Sequence, residues 1–200
     1  SLIRASFVKA STKPLKNQAC RQTLNNRSMK LYLLLSLALS LAASAKSHTI
    51  WHDKPATNWE REALPIGNGS LGAMLFGGTD EIYLQFNHDT LWTGNADDTG
   101  SYQSFGQLRF VFDQQAEKVT HYGRMLELST ATHFTSYQAD GVKYTRGAYA
   151  SNPAGVIILT ATASKPASYT GTLTLIDDHG TSPVAISDDT LQFTGSLKQN

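Results

Sequence analysis

Cysteine is almost missing from this chain, which has Cys20 alone among its 200 residues. Cys20 lies in an N-terminal stretch that we place outside the folded domain, so the domain can form neither a disulfide nor a cysteine–metal site. The six histidines are scattered without the short spacing of metal ligands. The Gly-rich segment at residues 67–78 lacks the Lys-Ser/Thr that follows a phosphate loop. We therefore expect no metal, nucleotide or redox cofactor.

Acidic residues are missing from the first 45 positions, which hold seven of the 17 lysines and arginines. Residues 46–200 therefore carry ten basic residues (17 minus seven) against 16 acidic ones, a net charge of −6. Because phosphate backbones attract positively charged surfaces, this balance argues against nucleic acid as a partner.

The chain also lacks an apolar run long enough to cross a bilayer. Leu31–Leu41 is apolar, follows Met29-Lys30 and precedes Ala43-Ser44-Ala45, which is the pattern of a secretory signal and its cleavage site. We interpret residues 29–45 as a signal peptide and expect an extracellular, cell-wall or periplasmic protein with no membrane contact after cleavage. Residues 1–28 are interpreted as a mis-called segment upstream of Met29, although their basic character also fits a transit peptide or a nucleic-acid arm.

Helical periodicity is scarce, and residues 114–122 are predicted to form at most one short helix. Residues 46–66 are predicted to be a loop-rich start, and Asp140-Gly141 a type I′ hairpin turn. Short segments of strand-forming residues between Pro, Gly and Asp indicate strands in the rest of the domain. These predicted strands are Leu71–Phe76, Ile82–Phe86, Leu108–Phe112, Thr132–Ala139, Val142–Ala150, Val156–Ala163, Thr170–Ile176, Val184–Ile186 and Leu191–Gly195. The sequence thus predicts one all-β domain over residues 46–200, an antiparallel β-sandwich.

Residues 59–92 combine glycines, amides, carboxylates and indoles in a mixture that a hydrophobic core does not require. Apolar residues at 82, 84 and 86 alternate with Tyr83, Gln85 and Asn87, which is the period of a half-buried strand. One strand face can therefore lie on the core while these three side chains project from the other. Such groups are typical of sugar-binding surfaces, because hydroxyls need hydrogen-bonding partners and pyranose C–H faces need flat apolar rings.

The order of several sequence blocks resembles glycoside hydrolase family 95, whose members are mainly α-L-fucosidases, with some α-L-galactosidases. Its usual form has a Trp and a Pro-Ala pair, then EALPLGNGRLGAMVFGG and a strand reading IQLNEDTLWSGGP. The matching blocks here are Trp51, Pro55-Ala56, Glu62–Gly78, Tyr83–Gly94, Tyr102–Leu108, Tyr122–Ser129 and Ser136–Ile158. The chain departs at Ser70 and His88, where the family commonly has Arg and Glu, and in the short segment between Trp92 and Tyr102, where many relatives carry a helical insertion.

The resemblance implies a longer parent enzyme with a β-rich N-terminal domain of super-sandwich type, a helical linker, a large helical barrel and a C-terminal β domain. Residues 46–200 would be part of the first domain. The resemblance also implies an inverting α-L-fucosidase, whose Glu acid and Asp base lie in the barrel, so we assign no catalytic residue to this chain. The expected partners are a fucosylated oligosaccharide or glycan and the barrel itself. Whether the sugar is fucose or galactose stays open.

The candidate substrate-binding residues are Gln85, Asn87, Thr90 and Trp92. Strand alternation places the first two on one face, close to a turn and to Trp92, and the resembled family uses this segment near its fucose-binding cleft. The alternatives are packing against an adjacent domain, or turn capping by Asn87 and Asp89. Trp92 is equally well interpreted as a sugar platform or as part of an interdomain core.

The remaining polar and aromatic candidates are given structural roles. Aspartate pairs at 97–98, 177–178 and 188–189 lie between predicted strands, where Asp shapes turns, and are not assigned to glycosidic-bond cleavage. Asn68-Gly69 is predicted to form a tight turn, and with Ser70 it is also a glycosylation sequon. Trp51 and Trp59 are predicted to pack.

Two other classes of function fit the same residues. A free-standing carbohydrate-binding module would have the same fold and exposed aromatic rings but no chemistry. A purely structural scaffold would only dock the barrel. Glycan binding by residues 46–200 alone would favour the module, whereas unchanged kinetics of a Gln85→Ala variant in a longer relative would favour the scaffold.

Overall fold

The computed structural model describes residues 48–113 and 115–197. The predictions for residues 1–28, for the signal peptide at 29–45 and for Cys20 lie outside the described residues. Every regular element in the described ranges is a β-strand, so the all-β prediction is confirmed. Those ranges contain no helix with the length and apolar character needed to cross a membrane.

Fourteen strands are found in the described part of the chain. They are β1 (Thr49–His52), β2 (Leu64–Gly67), β3 (Leu71–Leu75), β4 (Glu81–His88), β5 (Trp92–Thr93), β6 (Ser101–Tyr102), β7 (Gly106–Phe112), β8 (Val119–Glu127), β9 (Thr132–Ala139), β10 (Val142–Ser151), β11 (Val156–Ala163), β12 (Gly171–Asp177), β13 (Val184–Ser187) and β14 (Thr190–Gln192).

Ten of these strands form two five-stranded antiparallel sheets. Sheet 1 has the order β1-β8-β9-β10-β11 and sheet 2 the order β12-β7-β4-β3-β2, while β5–β6 and β13–β14 form short two-stranded pairs. The two large sheets pack face to face, which confirms the predicted sandwich. Both sheets contribute to one buried cluster: Leu64, Ile66, Ala73, Leu75 and Leu84 from sheet 2, with Leu126 and Ala148 from sheet 1.

The alternation of side chains along each strand explains which face is buried. In β4, Ile82 and Leu84 are buried, whereas Tyr83 and Gln85 on the opposite face are half-buried. Burying an aliphatic side chain completely contributes about 1.5–3 kcal/mol to folding. A second buried cluster continues the core, because Phe86 and Leu108 pack against both clusters. Its members are Leu91, Phe105, Leu175 and Phe193.

Two arginines of sheet 1 are buried at the interface between the sheets. Arg124 donates from Nε to the Lys54 carbonyl at 2.8 Å and from Nη1 to the Glu62 carbonyl at 2.7 Å. Arg146 donates from Nη1 to the Gly78 carbonyl at 2.6 Å. These bonds connect sheet 1 to the loops that precede β2 and β4, because an arginine side chain can satisfy several backbone carbonyls at once.

The predicted hairpin at Asp140-Gly141 is confirmed. Both residues have positive φ, 50° and 77°, as a type I′ turn requires, and Ala139 pairs directly with Val142. The two long strands Thr132–Ala139 and Val156–Ala163 have the predicted bounds. Their β-branched and aromatic residues, bounded by turn residues, were sufficient to define them.

The prediction of a loop over residues 46–66 is wrong in two places. Residues 49–52 form β1, which pairs with β8, and residues 64–67 form β2, which pairs with β3. Pro65 is tolerated because β2 is an edge strand of sheet 2. On its outer side no neighbouring strand needs a hydrogen bond from the N–H that proline lacks. Strand β1 exists through long-range pairing, which a local pattern does not show, whereas β2 pairs with the neighbouring β3 and was missed because Pro65 is typical of a loop.

The loop between β1 and β2 is organised by one carboxylate. Glu62 accepts hydrogen bonds from the Thr57 backbone N–H at 2.7 Å, the Thr57 hydroxyl at 3.0 Å and the Asn58 N–H at 3.3 Å. These bonds lower the pKa of Glu62 to about 2, and the two bonds from Thr57 have the largest effect. The ionised carboxylate therefore shapes the segment whose carbonyl at Glu62 receives Arg124.

The prediction of a short helix at residues 114–122 is also wrong, because Val119–Glu127 is strand β8. Its register with β9 shifts between Thr120 and Gly123, and His121 has a φ of 52°, so the strand contains an irregularity of the bulge type. This break hid the period-2 pattern from the sequence. The predicted strand Leu191–Gly195 ends earlier, at Gln192, and the following Phe193 is buried in the second cluster.

Candidate functional site

The outer face of sheet 2 carries the first predicted ligand residue. Gln85 lies on β4 opposite Met74 of β3 and Gln107 of β7. The Tyr83 hydroxyl donates to Gln107 Oε1 at 3.1 Å, and Gln107 Nε2 donates to Asp178 Oδ1 at 3.2 Å. Gln85 is therefore half-buried in a row of side chains on a flat sheet face.

Asn87 has both ends of its amide engaged within the domain. Its Nδ2 donates to the Gln103 carbonyl at 3.1 Å, and its Oδ1 accepts from the His88 backbone N–H at 2.8 Å. This geometry favours the capping alternative for Asn87. The side chain still lines a shallow depression, so it can shape that surface even while its amide holds the turn.

The turn after β4 brings three polar side chains together. His88 Nδ1 lies 2.9 Å from Thr90 Oγ1 and 2.9 Å from Asp89 Oδ1. The Leu91 N–H donates to the His88 carbonyl at 3.1 Å, which closes the turn and leaves Thr90 exposed. His88 stands where the resembled family commonly has Glu, and here its imidazole organises the turn itself.

Trp92 follows this turn and is held in a defined orientation. Its indole Nε1 donates to the Thr99 carbonyl at 2.8 Å, and its ring meets Tyr102 edge-to-face with centroids 4.7 Å apart. The two residues are also cross-strand partners in the β5–β6 pair. The indole is 46% exposed, so a fixed aromatic surface faces solvent. We call Trp92 and Tyr102 the aromatic pair.

Two surface depressions adjoin the aromatic pair. The first, about 370 Å³ and wide open, is lined by Gly69–Gly72, Asn87–Asp89 and Tyr102. The second, about 180 Å³, is lined by Thr90–Thr93, Phe105, Asp177, His179, Phe193 and Gly195–Leu197. The structure therefore brings Thr90 and Trp92 together, places Asn87 in the neighbouring depression, and gives Gln85 a place in neither.

Among the residues of these depressions that the sequence did not single out as ligand candidates are Tyr102, Asp177 and His179. Tyr102 was visible as the start of a matching block, whereas the other two come from a distant part of the chain. Burial alone would raise the pKa of Asp177, but hydrogen bonds from Thr181 lower it, including a 2.7 Å bond from the Thr181 N–H. His179 Nε2 donates to the Ser104 carbonyl at 2.6 Å. Both side chains thus fasten the turn after β12 beside the second depression.

The hydrogen bonds of Asp98, Asp189 and Asn68 agree with the prediction that these residues shape turns. Asp98 accepts from the Gly100 N–H at 2.9 Å, and Asp189 accepts from the Ser187 hydroxyl at 2.6 Å. Asn68 Oδ1 accepts from the Leu71 N–H at 2.8 Å while its Nδ2 donates to the Ser151 carbonyl at 2.9 Å. The amide nitrogen that glycosylation would modify is therefore already bonded to the end of β10, while the amide oxygen holds the turn.

The other two tryptophans are more exposed than predicted. Trp59 is 50% exposed, and Trp51 is largely exposed, with its indole Nε1 only 3.2 Å from the position a Cβ would take at Gly123. Neither ring packs into the interior of the described sandwich. Trp59 lines neither of the two depressions, which makes it a useful reference for Trp92.

Comparison with known proteins identifies the domain type. The family model described as glycosyl hydrolase family 65, N-terminal domain, matches residues 50–101 and 96–200. Alpha-L-fucosidase 2 of Arabidopsis thaliana is 36% identical over an alignment of 152 residues, which covers 57% of this chain and 18% of that protein. Probable alpha-fucosidase A of Aspergillus oryzae is 32% identical over 178 residues, covering 66% of this chain and 24% of that protein. The matched region is thus at most about a quarter of each relative's length.

Proposed function

Because the chain belongs to the family of glycosyl hydrolase family 65 N-terminal domains, we propose that it serves a secreted α-L-fucosidase of glycoside hydrolase family 95. The names of the relatives and the sequence blocks around Glu62–Gly94 support this assignment. In this proposal residues 46–200 belong to a supporting domain, and the inverting acid and base belong to a helical barrel elsewhere in a longer polypeptide. The natural substrate would be a fucosylated oligosaccharide or glycan.

The aromatic pair is the observation that carries a role in substrate binding. A pyranose ring offers an apolar C–H face that stacks on an indole, and the Trp92 indole is exposed and already fixed by Thr99 and Tyr102. The exposed Thr90 hydroxyl lies beside it to meet a sugar hydroxyl. The domain would thus orient one part of the glycan while the barrel performs the two-carboxylate chemistry of hydrolysis.

The binding role is tested by titrating a fucosylated oligosaccharide into the 200-residue chain and following the tryptophan and amide signals by NMR. Trp92→Ala is expected to weaken binding about tenfold, which corresponds to about 1.4 kcal/mol. Trp59→Ala is the matched control, because its ring is equally exposed but lies outside both depressions. Equal effects of the two substitutions, or none, would show that the aromatic pair does not hold sugar.

The supporting role predicts that the 200-residue chain alone hydrolyses no α-L-fucoside. Asp98, Asp177 and Asp189 hold turns, which leaves them poorly placed as an acid and base pair. The measurement is release of the aryl group from an aryl α-L-fucoside by purified chain. Turnover above the background of a heat-inactivated sample would place the chemistry within this domain and refute the division of labour.

A carbohydrate-binding module is the second candidate, and the same exposed aromatic pair favours it. A module would bind glycan with full affinity in the absence of any other domain, whereas a supporting domain would bind weakly until the barrel completes the cleft. The purely structural role is supported at one residue, Gln85. Its side chain lies on the outer face of sheet 2 between Met74 and Gln107 and lines neither depression. Gln85→Ala in a longer relative should then leave kcat and KM unchanged.

A further inference from the structure

Three basic side chains of sheet 1 point into the interior of the sandwich. Arg124, His133 and Arg146 are only 0%, 2% and 5% exposed, and we call them the buried cationic cluster. They lie on the adjacent strands β8, β9 and β10, where strand alternation turns them toward sheet 2. Nothing in the proposed glycan-binding role uses them.

Neither guanidinium forms an ion pair with another described residue, although the nearby Glu62 carboxylate acts on Arg124 through its charge. The ion pairs found there are Lys54–Glu62, Arg109–Glu81 and His88–Asp89, so no carboxylate lies within 4.0 Å of either buried arginine. Arg146 is partly compensated by aromatic faces, since its guanidinium carbon lies 5.0 Å from the Phe112 ring centre and 5.2 Å from that of Tyr137. Burying an unpaired charge is costly, so the pair of arginines creates a strongly positive interior.

Two nitrogens of the cluster lack a hydrogen-bond partner within the described part of the chain. They are Arg124 Nη2 and His133 Nε2, and both are inaccessible to solvent. A guanidinium nitrogen can only donate, and an imidazole nitrogen can donate in one tautomer. Each unsatisfied buried donor costs about 1–3 kcal/mol. The cluster therefore offers donors to a ligand that can accept.

A small cavity of about 20 Å³ adjoins these groups. Its polar wall is formed by His133, Thr135 and Arg146, and the rest of the wall is largely apolar, with Leu75, Ile82, Ala148 and Leu159. This volume is above the roughly 10–15 Å³ that one water molecule needs, so the cavity has room for a single small particle and for no larger group. Arg124 lies directly behind Gly77, because a Cβ built on Gly77 would be 2.8 Å from Arg124 Cδ and 3.3 Å from Thr135 Oγ1.

We propose that this cavity binds one monovalent halide ion, chloride under ordinary conditions, held by His133 and the charges of Arg124 and Arg146. A halide accepts hydrogen bonds from several directions and also neutralises part of the buried positive charge. A water molecule would satisfy donors without offsetting charge, and an anion of several atoms exceeds the volume. The halide would stabilise the join between the two sheets, independently of any glycan.

The direct test is a crystal of the 200-residue chain soaked in sodium bromide, with data collected at the bromine absorption edge. An anomalous peak between His133 and Arg146 is expected. Peaks only at the protein surface would mean an adventitious ion only, and would overturn the proposal. A water molecule in the cavity without anomalous signal would overturn it equally, so the wild-type chain alone decides the question.

A solution test measures thermal unfolding in sodium bromide, sodium chloride and sodium gluconate at equal ionic strength. A halide at about five times its Kd should raise the unfolding midpoint by about 2–4 °C over gluconate. His133→Phe should abolish the difference, whereas His121→Asn, which replaces an exposed histidine of the neighbouring strand β8, should retain it. The same midpoint in all three salts, or a halide effect that survives in His133→Phe, would contradict the site.

Discussion

At the scale of single residues, the buried arginines hold the two sheets together through directed bonds. Arg146 donates to the Gly78 carbonyl at 2.6 Å and to the Tyr137 hydroxyl at 2.6 Å, and its guanidinium carbon lies 5.0 Å from the centre of the Phe112 ring. A lysine carries the same charge but neither the planar fork nor the same stacking surface. The identity of this side chain, beyond its charge, therefore matters for stability.

Arg146→Lys is expected to destabilise the domain by about 2–4 kcal/mol, because it leaves buried acceptors unpaired and loosens the aromatic packing. The measurement is the free energy of unfolding in urea. Lys143→Arg, the reverse exchange at an exposed site of the same strand, is the control and should change stability by less than about 0.5 kcal/mol. A loss at Arg146 as small as that of the control would show that only charge matters there.

His133 predicts a dependence of stability on pH. Burial, and then the charges of Arg124 and Arg146, lower the pKa of His133 to about 4 from its ordinary value of 6.5. Between these two values the unfolded chain binds a proton that the folded chain does not, so stability falls as the pH falls. From about pH 7.5 to about pH 5 this one group should cost about 2 kcal/mol.

The test compares urea unfolding of the wild type and His133→Phe at both pH values in a halide-free buffer. The wild type should lose about 2 kcal/mol more than the variant. NMR titration of the His133 ring in the wild type gives an independent reading that does not depend on the variant folding. A ring that titrates at its ordinary pKa would rule out this source of acid sensitivity.

At the scale of elements, the connection between β3 and β4 depends on a glycine. Gly77 has a φ of 68°, and a Cβ there would lie 2.7 Å from the Tyr122 hydroxyl and 2.8 Å from Arg124 Cδ. Gly155, between β10 and β11, has a similar φ of 63° but nothing within 4 Å of its Cβ position. Comparing substitutions at the two glycines therefore separates the cost of backbone strain from the cost of steric crowding.

Gly155→Ala should cost about 1–2 kcal/mol from backbone strain alone. Gly77→Ala should cost about 1–3 kcal/mol more, because the added methyl group also collides with packed side chains of sheet 1. Unfolding free energies in urea measure both changes. Equal costs for the two substitutions would mean that sheet 1 moves aside without penalty.

At the scale of the whole molecule, the protection of backbone amide hydrogens against exchange with solvent should depend on where a strand lies in the sandwich. Strand β9 lies at the centre of sheet 1 and buries His133, Thr135, Tyr137 and Ala139. Every residue of β13 is exposed, and its only partner is the short β14. Amide hydrogens of β9 should therefore exchange at least about a hundredfold more slowly than those of β13, as measured by NMR or mass spectrometry. Similar exchange rates would indicate that the sheets do not act as one cooperative core.

The sandwich was predictable where the pattern is local. The hairpin of β9 and β10 is recognisable from alternating residues around Asp140-Gly141, and the strand character of β4 from its alternation alone. The turn roles of Asn68 and of several aspartates followed from the short reach of their side chains. Asn87 was expected close to Trp92 and lines the depression next to that of Trp92, whereas Gln85, expected on the same face, lines neither depression.

What the sequence by itself determined is therefore the all-β class, the turns and the family to which the domain belongs. Tertiary structure alone decided that residues 49–52 are a strand, since their partner β8 lies far along the chain. It also decided that Arg124 and Arg146 are buried, although a lone arginine in a strand usually faces water. The physical reason is the same in both cases: pairing and burial depend on which distant residues meet, and short-range patterns do not contain that information.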